Sequence, residues 1–424
     1  MAASGLQKTT SYKVVLPFYV YASISLLIAS ILLLWDTGIF NQHHFSPHTL
    51  AITHVMALGW GTMIIFGASH QLLPVIIEGE LESNLLAYLT FIFTGVGIPF
   101  VAIGFYSFNL GWILQLGAVL VNLGVICYLV NVFTGIFESK KLNVHAWFVG
   151  TATLWLFSTT FFGLLLVFNF TKHLLPSDSL NYLTIHAHMG IVGWFLLLVL
   201  GVGSRLIPMF LISKYTNNKA LWIILALINL GLISFIIFWA TDSPENMYYI
   251  SLTLILIGVG KFVNFCRNAN KVRIRKSVDE QMKISLLSVI QMLLPIIILL
   301  IVMLFVPQKG NENITMLYGF TIFFGWLTAI IMGMTFKTLP FIVWNKVYHK
   351  NAHGAKTPVP KELFKENIFT GMSLSYIAGF LTTIIGILLQ NDLTLKIGAV
   401  LLLIAAVLYV TNTTIILFHK AKIK

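Results

Sequence analysis

Histidine residues recur at one position relative to a tryptophan in the apolar part of this chain. His54 and His188 each stand six residues before the tryptophan of a Gly-Trp pair, and a third pair has Phe320 at that position. A histidine in hydrocarbon is costly unless it is paired or ligated, and neutral imidazole is a common axial ligand of haem iron. For any one buried histidine, a hydrogen bond to a neighbouring carbonyl is the structural alternative. The recurrence at equivalent positions favours haem ligation.

A further histidine, His186, precedes His188 by two residues. At roughly 100° per residue the two side chains point about 200° apart around a helix, so they cannot ligate one metal but can face ligands on opposite sides. The sequence has no C-x-x-C-H motif, so a haem would be held non-covalently. We therefore assign His54, His186 and His188 as candidate iron ligands, with Trp60, Gly61 and Trp194 as further candidate cofactor contacts.

The other histidines give weaker signals. His70 lies near the far end of the same apolar run as His54, where we expect a structural or water-facing role. His48 is a fallback ligand or a partner for a haem propionate, and His145 is a second fallback. We expect exposed polar surface for the histidines of the basic segments, which are His349, His353 and His419.

The Gly-Trp pairs belong to a motif that occurs three times. In each copy glycine follows tryptophan by seven residues and proline follows it by fourteen: Trp60, Gly67, Pro74; Trp194, Gly201, Pro208; Trp326, Gly333, Pro340. On one stripe of a helix, such a glycine permits close approach of a neighbour or a flat ligand, and proline ends or bends the helix. The pattern predicts three diverged copies of a four-helix unit, at approximately 16–137, 146–265 and 284–418.

A polar residue follows each motif tryptophan by eleven positions. These residues are Gln71, Arg205 and Lys337. We interpret them as side chains that extend to the lipid headgroups from the ends of their helices. The alternative is a water-filled route for protons or ions that enters the protein from the cytoplasmic ends of these helices.

The elements that carry these residues are transmembrane helices. The chain is 58% hydrophobic and 9% charged over 424 residues, more apolar than a water-soluble fold can bury. Runs of about 20 apolar residues cross the hydrocarbon core as helices, and twelve occur: 16–35, 50–76, 85–106, 109–137, 146–168, 182–212, 220–240, 247–265, 284–306, 317–344, 368–389 and 395–418. We predict an all-α polytopic membrane protein, one membrane domain over residues 1–424, whose main partner is the lipid bilayer.

Charge predicts the orientation of these helices. The net charge of +12 comes from Lys and Arg that crowd alternate loops, which the positive-inside rule places in the cytoplasm with both termini. Only the acidic turn of Glu78, Glu80 and Glu82 breaks this pattern. Because topology and anionic lipid account for the basic excess, we expect no nucleic-acid partner and place the chain in a bacterial inner membrane. The two cysteines, Cys127 and Cys266, provide neither a disulfide framework nor a thiolate metal site.

The segment from His186 to Trp194 resembles a known family. Its sequence, HAHMGIVGW, is similar to the His-x-His segment of the C-type branch of subunit I of the haem-copper oxygen and nitric oxide reductases, which also have twelve helices in three four-helix arcs. The resemblance implies that His186 faces a high-spin haem, and that His188 and His54 are the two ligands of a low-spin haem. One or two haem b groups are therefore expected.

The sequence departs from that family in two respects. The family carries its His-x-His segment on helix ten, where this chain has Tyr318 and Phe320, and its copper site needs histidines from helices six and seven, whereas run 220–240 has none. We therefore expect no copper centre and no proton-pumping oxidase activity. NnrS-type membrane proteins of the nitric oxide response, which are also twelve-helix haem proteins, are a second, architectural resemblance.

These observations favour a haem b protein of respiratory electron transfer or of nitric oxide or oxygen handling. It could act as an oxidoreductase and would then meet a respiratory electron donor or a partner subunit. A non-haem transporter with Arg205 and Lys337 on its substrate path is one alternative. An assembly or partner subunit that retains the fold without the chemistry is another.

Overall fold

Long helices make up the bundle, and twelve of them occur in the part of the chain that the structure describes. The computed structural model describes residues 11–77, 83–139, 143–305, 312–348 and 357–421, and regular structure in these ranges is helical apart from one isolated bridge. The helices long and apolar enough to cross a membrane are α1 (Tyr12–Trp35), α2 (Pro47–Pro74), α3 (Asn84–Tyr106), α4 (Trp112–Phe137), α5 (Val144–Lys172), α6 (Ser179–Leu211), α7 (Asn218–Ala240), α8 (Glu245–Lys271), α9 (Glu280–Phe305), α10 (Glu312–Tyr348), α11 (Glu366–Leu389) and α12 (Asp392–Leu417). The predicted all-α class is confirmed, and twelve helices are long and apolar enough to span a membrane, as predicted. Such a set of helices fits a multi-pass protein in a lipid bilayer.

Some residues used above fall outside these ranges. They are Glu78, Glu80 and Glu82 of the acidic turn, together with His349 and His353.

Three helices form the centre of the bundle. In the most apolar stretches of α2, α6 and α10, 78%, 72% and 78% of residues are buried, against 28–56% in the other nine helices. The other helices surround them, and contacts between α1 and α12 close the ring. All the histidines proposed as iron ligands lie on α2 and α6, so the inner helices position the site.

The motif glycines mark contacts between inner and outer helices. A Cβ atom added at Gly201 would lie 2.3 Å from Cβ of Phe148 on α5, and one added at Gly333 would lie 2.7 Å from the carbonyl oxygen of Gln281 on α9. Gly67 faces Phe18 of α1 in the same way. Of the two roles expected for these glycines, close approach of a neighbouring helix is therefore the one observed.

Each inner helix contains a π-helical segment around its Gly-Trp pair. The segments are Val55–Thr62 in α2, Met189–Leu196 in α6 and Thr321–Leu327 in α10, and the first two begin directly after His54 and His188. A π-helical turn widens the helix and redirects the side chains that precede it, and such turns are frequent at functional sites. The apolar pattern of the sequence indicated helices here but not this local widening.

Lys337 is held inside the bundle. Its ammonium group forms an ion pair with Asp279, which precedes α9, and it lies 5.7 Å from the centre of the Phe210 ring. The two charged side chains are only 13% and 10% exposed. The interpretation of Lys337 as a side chain extending to the headgroups is therefore wrong, because its charge is neutralised by a carboxylate within the protein. Arg205 is exposed, as that interpretation requires.

Candidate functional site

A cavity of about 560 Å³ lies at the end of the bundle opposite the start of α1 and the end of α12. Its walls come from the end of α1 and the loop after it, and from α2, α3, α4, α5, α6, α9 and α10, and they are mostly apolar. The imidazoles of His54, His186 and His188 all line it. The three residues proposed from the sequence as iron ligands therefore meet at one cavity.

His54 and His188 have the same local hydrogen bond. Nδ1 of His54 lies 2.8 Å from the carbonyl oxygen of Leu50, and Nδ1 of His188 lies 2.8 Å from that of Thr184. A carbonyl oxygen only accepts, so Nδ1 donates in both residues and, in the neutral rings, Nε2 has the free lone pair. Histidines that ligate metals almost always hold their second nitrogen in this way.

Packing fixes the two rings. The ring of His54 stacks on Phe105 with centroids 4.6 Å apart. The ring of His188 packs against Phe235 of α7 at 5.0 Å, and its Nε2 accepts a hydrogen bond from the hydroxyl of Tyr318 at 3.2 Å. Within the described ranges Nε2 of His54 has no hydrogen-bond partner.

His186 points to other neighbours than His188. Its ring packs on α5, where a Cβ added at Gly163 would lie 2.7 Å from Cε1. Its Nδ1 atom is buried and has no hydrogen-bond partner among the described residues. The divergence of the two rings agrees with their spacing, although both border the same cavity.

The other candidate contacts differ in their distance from the cavity. Trp194 lines it, and its indole donates to the hydroxyl of Thr62 at 3.1 Å. Trp60 is fully buried and donates to Thr328 at 3.1 Å, and Gly61 packs against the Phe195 ring, so neither is among the lining residues. The two tryptophans tie inner helices together, since both hydrogen bonds join different helices.

The fallback histidines lie away from the cavity wall. His48 pairs with Asp36 at 2.5 Å and stacks on Tyr106. His70 is buried beside Phe18 and Tyr128, as expected for a structural role. His145 interacts through Nδ1 with the carbonyl oxygen of Gly201 and the hydroxyl of Ser204.

Two polar residues of the cavity wall were not singled out from the sequence. Tyr318 stands eight residues before Trp326, as His186 stands eight before Trp194, and this shared position could have identified it. Asn122 lies near the middle of the run 109–137, which also contains Gln115 and Asn131. Its Nδ2 donates to two carbonyl oxygens at 2.9 Å, whereas its Oδ1 is buried without a partner in the described ranges. A polar side chain within an apolar span is itself a signal of function.

The chain matches no protein-family model, and no curated protein matches it.

Proposed function

We propose that this chain is a haem b-binding integral membrane protein, with the haem in the cavity shared by His54, His186 and His188. The observation that supports it best is the hydrogen bonding of His54 and His188. Both donate through Nδ1 to a carbonyl four residues earlier, which leaves the lone pair on Nε2. That lone pair has no partner among the described residues in His54, whereas in His188 a metal would have to displace the hydroxyl of Tyr318 from it. We propose His54 and His188 as the ligands of one low-spin haem.

The cavity fits such a group in size and in the chemistry of its walls. Its volume of about 560 Å³ lies within the roughly 300–1,000 Å³ typical of small-molecule and cofactor sites. Apolar walls with a few convergent polar groups suit a porphyrin, which needs non-polar contact over its faces and an imidazole at its iron. The buried Nδ1 of His186 is a further potential ligand atom that the described residues leave without a hydrogen bond.

The proposal includes the three-repeat organisation. Its support is the recurrence of local features at equivalent positions: π-helical segments around all three Gly-Trp pairs, and glycines seven residues later that each contact an outer helix. The indoles of Trp60 and Trp194 each donate to a threonine that stands two residues after another motif tryptophan. By the same spacing the indole of Trp326 would donate to position 196, two residues after Trp194. That residue is Leu196, whose side chain cannot accept a hydrogen bond.

The class of function follows from the proposed cofactor. A haem held between histidines transfers single electrons, and a haem with an open position binds nitric oxide or oxygen. We propose a role in respiratory electron transfer or in handling one of these gases, as the resemblance to the haem-copper subunit I family and to NnrS proteins implies. No histidine lies on α7, so we propose that no copper centre accompanies the haem.

A pyridine haemochrome assay with metal analysis tests this function. The protein, purified from cells supplied with haem, should show a Soret band, the spectrum of haem b and one or two iron atoms per chain. Copper should be far below one atom per chain after chelator treatment. A colourless, iron-free preparation would refute the haem proposal and favour the transporter or the assembly subunit. Stoichiometric copper coupled to haem iron would refute the copper prediction alone.

The proposed orientation places both termini in the cytoplasm and can be tested with cysteine labelling. Ile274 is 62% exposed in the loop between α8 and α9, and Leu174 is 56% exposed in the loop after α5. Ile274→Cys should react with an impermeant maleimide only in inverted membranes, whereas Leu174→Cys should react in intact cells. The unsubstituted chain is the background control for its two own cysteines, of which Cys266 is buried and Cys127 lies within α4. The opposite pattern would reverse the orientation.

A further inference from the structure

Two loop histidines and a helix-terminal glutamate meet at the rim of the cavity. His43 and His44 belong to the loop between α1 and α2, and Glu312 is the first residue of α10. Nε2 of His43 lies 3.7 Å from Oε1 of Glu312, and Nδ1 of His44 lies 3.4 Å from Oε2. The potential ligand atoms of these residues all lie within 4.8 Å of one another.

These separations suit a shared metal ion better than direct hydrogen bonds. Nitrogen-to-oxygen hydrogen bonds are typically about 2.7–3.2 Å long. Around zinc, nitrogen and oxygen ligands lie at about 2.0–2.2 Å, so two ligands of a tetrahedron are about 3.4 Å apart. The two measured separations are close to that value. To face one ion, the rings of His43 and His44, whose centroids lie 4.1 Å apart, would have to turn toward it, which exposed side chains can do.

The donor set indicates the class of metal. Imidazole nitrogen with a carboxylate oxygen suits zinc and neighbouring divalent transition metals, whereas Ca²⁺ and Mg²⁺ are held mainly by oxygen. The side chains of His43, His44 and Glu312 are 53%, 40% and 39% exposed, so an ion in solution can reach them. Glu312 also supplies the charge that a divalent ion requires.

We propose that His43, His44 and Glu312 bind one divalent transition-metal ion, of which zinc is the probe of choice, with water completing the coordination. The site would fasten the loop between α1 and α2 to the start of α10. His44 itself lines the cavity, so the ion would hold one part of the cavity rim. The proposal does not rest on haem, since none of these three residues is among the proposed iron ligands.

Binding has local costs. Oε2 of Glu312 accepts from the backbone N–H of His44 at 3.4 Å, and an ion would compete for that oxygen. Nδ1 of His43 accepts a hydrogen bond from the backbone N–H of Phe45 at 3.1 Å, which an imidazole ligating through Nε2 would have to give up. The net value of one such bond in an exposed loop corresponds to about tenfold in affinity at most, because water replaces it. Three ligands from two segments can offset that loss.

Equilibrium dialysis with radioactive zinc tests the site on full-length protein purified through a tag without histidine. We expect retention of one zinc ion per chain. His43→Asn, His44→Asn and Glu312→Gln should each weaken binding at least about tenfold, the loss that removal of even an outer-shell partner causes. His173→Asn is the matched control, because His173 is an exposed loop histidine on the same side of the bundle. Its zinc affinity should be unchanged.

X-ray absorption at the zinc edge provides a readout that does not depend on variant folding. The unsubstituted protein should show nitrogen and oxygen ligands with the outer-shell scattering of two imidazoles. Zinc should also raise its midpoint of thermal unfolding, but not that of Glu312→Gln. Equal zinc binding by all variants, an edge spectrum without imidazole scattering, or no retained zinc would overturn the proposal. Haem content is measured separately, so failure here leaves the haem proposal unaffected.

Discussion

Replacing His188 by alanine should convert the bound haem from low spin to high spin or abolish its retention. The reason is that His188 and His54 are proposed as its two axial ligands, and loss of either imidazole opens a coordination position. His54→Ala should therefore give the same result. Optical spectra of the oxidised and reduced proteins, with haem quantified per chain, measure both effects.

Two further variants make this prediction specific. His70→Ala should leave the low-spin bands intact, because His70 is buried beside Phe18 and Tyr128 and is not among the residues that line the cavity. His186→Ala should remove a second, gas-reactive haem, which the family resemblance implies, and leave the low-spin bands. Low-spin spectra that survive in both His54→Ala and His188→Ala would show that the ligands lie elsewhere. His48 and His145 would then be tested next.

The spectra also show which two histidines are the axial ligands of the low-spin haem. His54 and His186 line the same cavity, whereas Nε2 of His188 accepts from the hydroxyl of Tyr318. If His186→Ala and His54→Ala, but not His188→Ala, lose the low-spin bands, the axial pair is His54 with His186. The same set of variants thus distinguishes the proposed pair from its nearest alternative.

The sequence was sufficient for the helices because hydrophobic length determines them. Apolar runs such as 220–240 and 395–418 correspond to α7 and α12 within a few residues, since the hydrocarbon thickness sets the length of a span. The runs 50–76, 182–212 and 317–344 also correspond to the three most buried helices. Their Gly-Trp motifs marked them in the sequence, because helices that pack on all sides need small residues for close approach.

The cavity wall was only partly predictable. His54, His186 and His188 could be found because a histidine in an apolar run is conspicuous and recurs at a fixed spacing. The contact of His188 with Tyr318 joins residues 130 positions apart, and no local pattern specifies which helix faces which. The π-helical segments were also missed, because the widened turn depends on the side chains that surround it rather than on the apolar pattern.

The prediction for Lys337 was wrong for the same reason, because sequence does not specify which helices face each other. Its position near the end of an apolar run predicted a side chain extending to the headgroups, because sequence alone does not supply its partner. Asp279 stands 58 positions earlier and closes the pair only when α9 packs on α10. This pairing leads to the second prediction of large effect.

Asp279→Asn should destabilise the protein by about 2 kcal/mol, between the cost of losing an exposed ion pair and that of breaking a fully buried one, because this pair is partly buried. Asparagine is as good a helix N-cap as aspartate, so the hydrogen bond accepted from the backbone N–H of Met282 is retained. The loss therefore reports the ion pair, because the substitution leaves the ammonium of Lys337 without a carboxylate. Unfolding by SDS in mixed micelles, followed by tryptophan fluorescence, measures it.

Variants of Lys337 and Lys283 show whether the loss of stability in Asp279→Asn comes from the ion pair. Lys337→Met should cost less than Asp279→Asn, because the carboxylate of Asp279 still pairs with Arg275 at 2.8 Å. The double variant should be more stable than the sum of the two losses predicts, since the uncompensated ammonium is then absent. Lys283→Met removes an exposed pair with Glu280 and should change stability by at most about 0.5 kcal/mol. Additive losses in the double variant would show that the pair has no coupling.

Acidification should remove the contribution of this ion pair. Burial raises the pKa of Asp279, but the hydrogen bond and charge of Lys337, with further help from Arg275, outweigh it and hold that pKa below its ordinary value of 3.8. A carboxyl group whose pKa is lowered on folding contributes stability that is present above the unfolded pKa and is lost as the pH falls through the folded one. The difference in stability between the unsubstituted protein and Asp279→Asn should therefore be constant from pH 7 down to about pH 5 and shrink below about pH 4. If the difference in stability disappeared near pH 6 instead, the titrating group would be a histidine rather than Asp279.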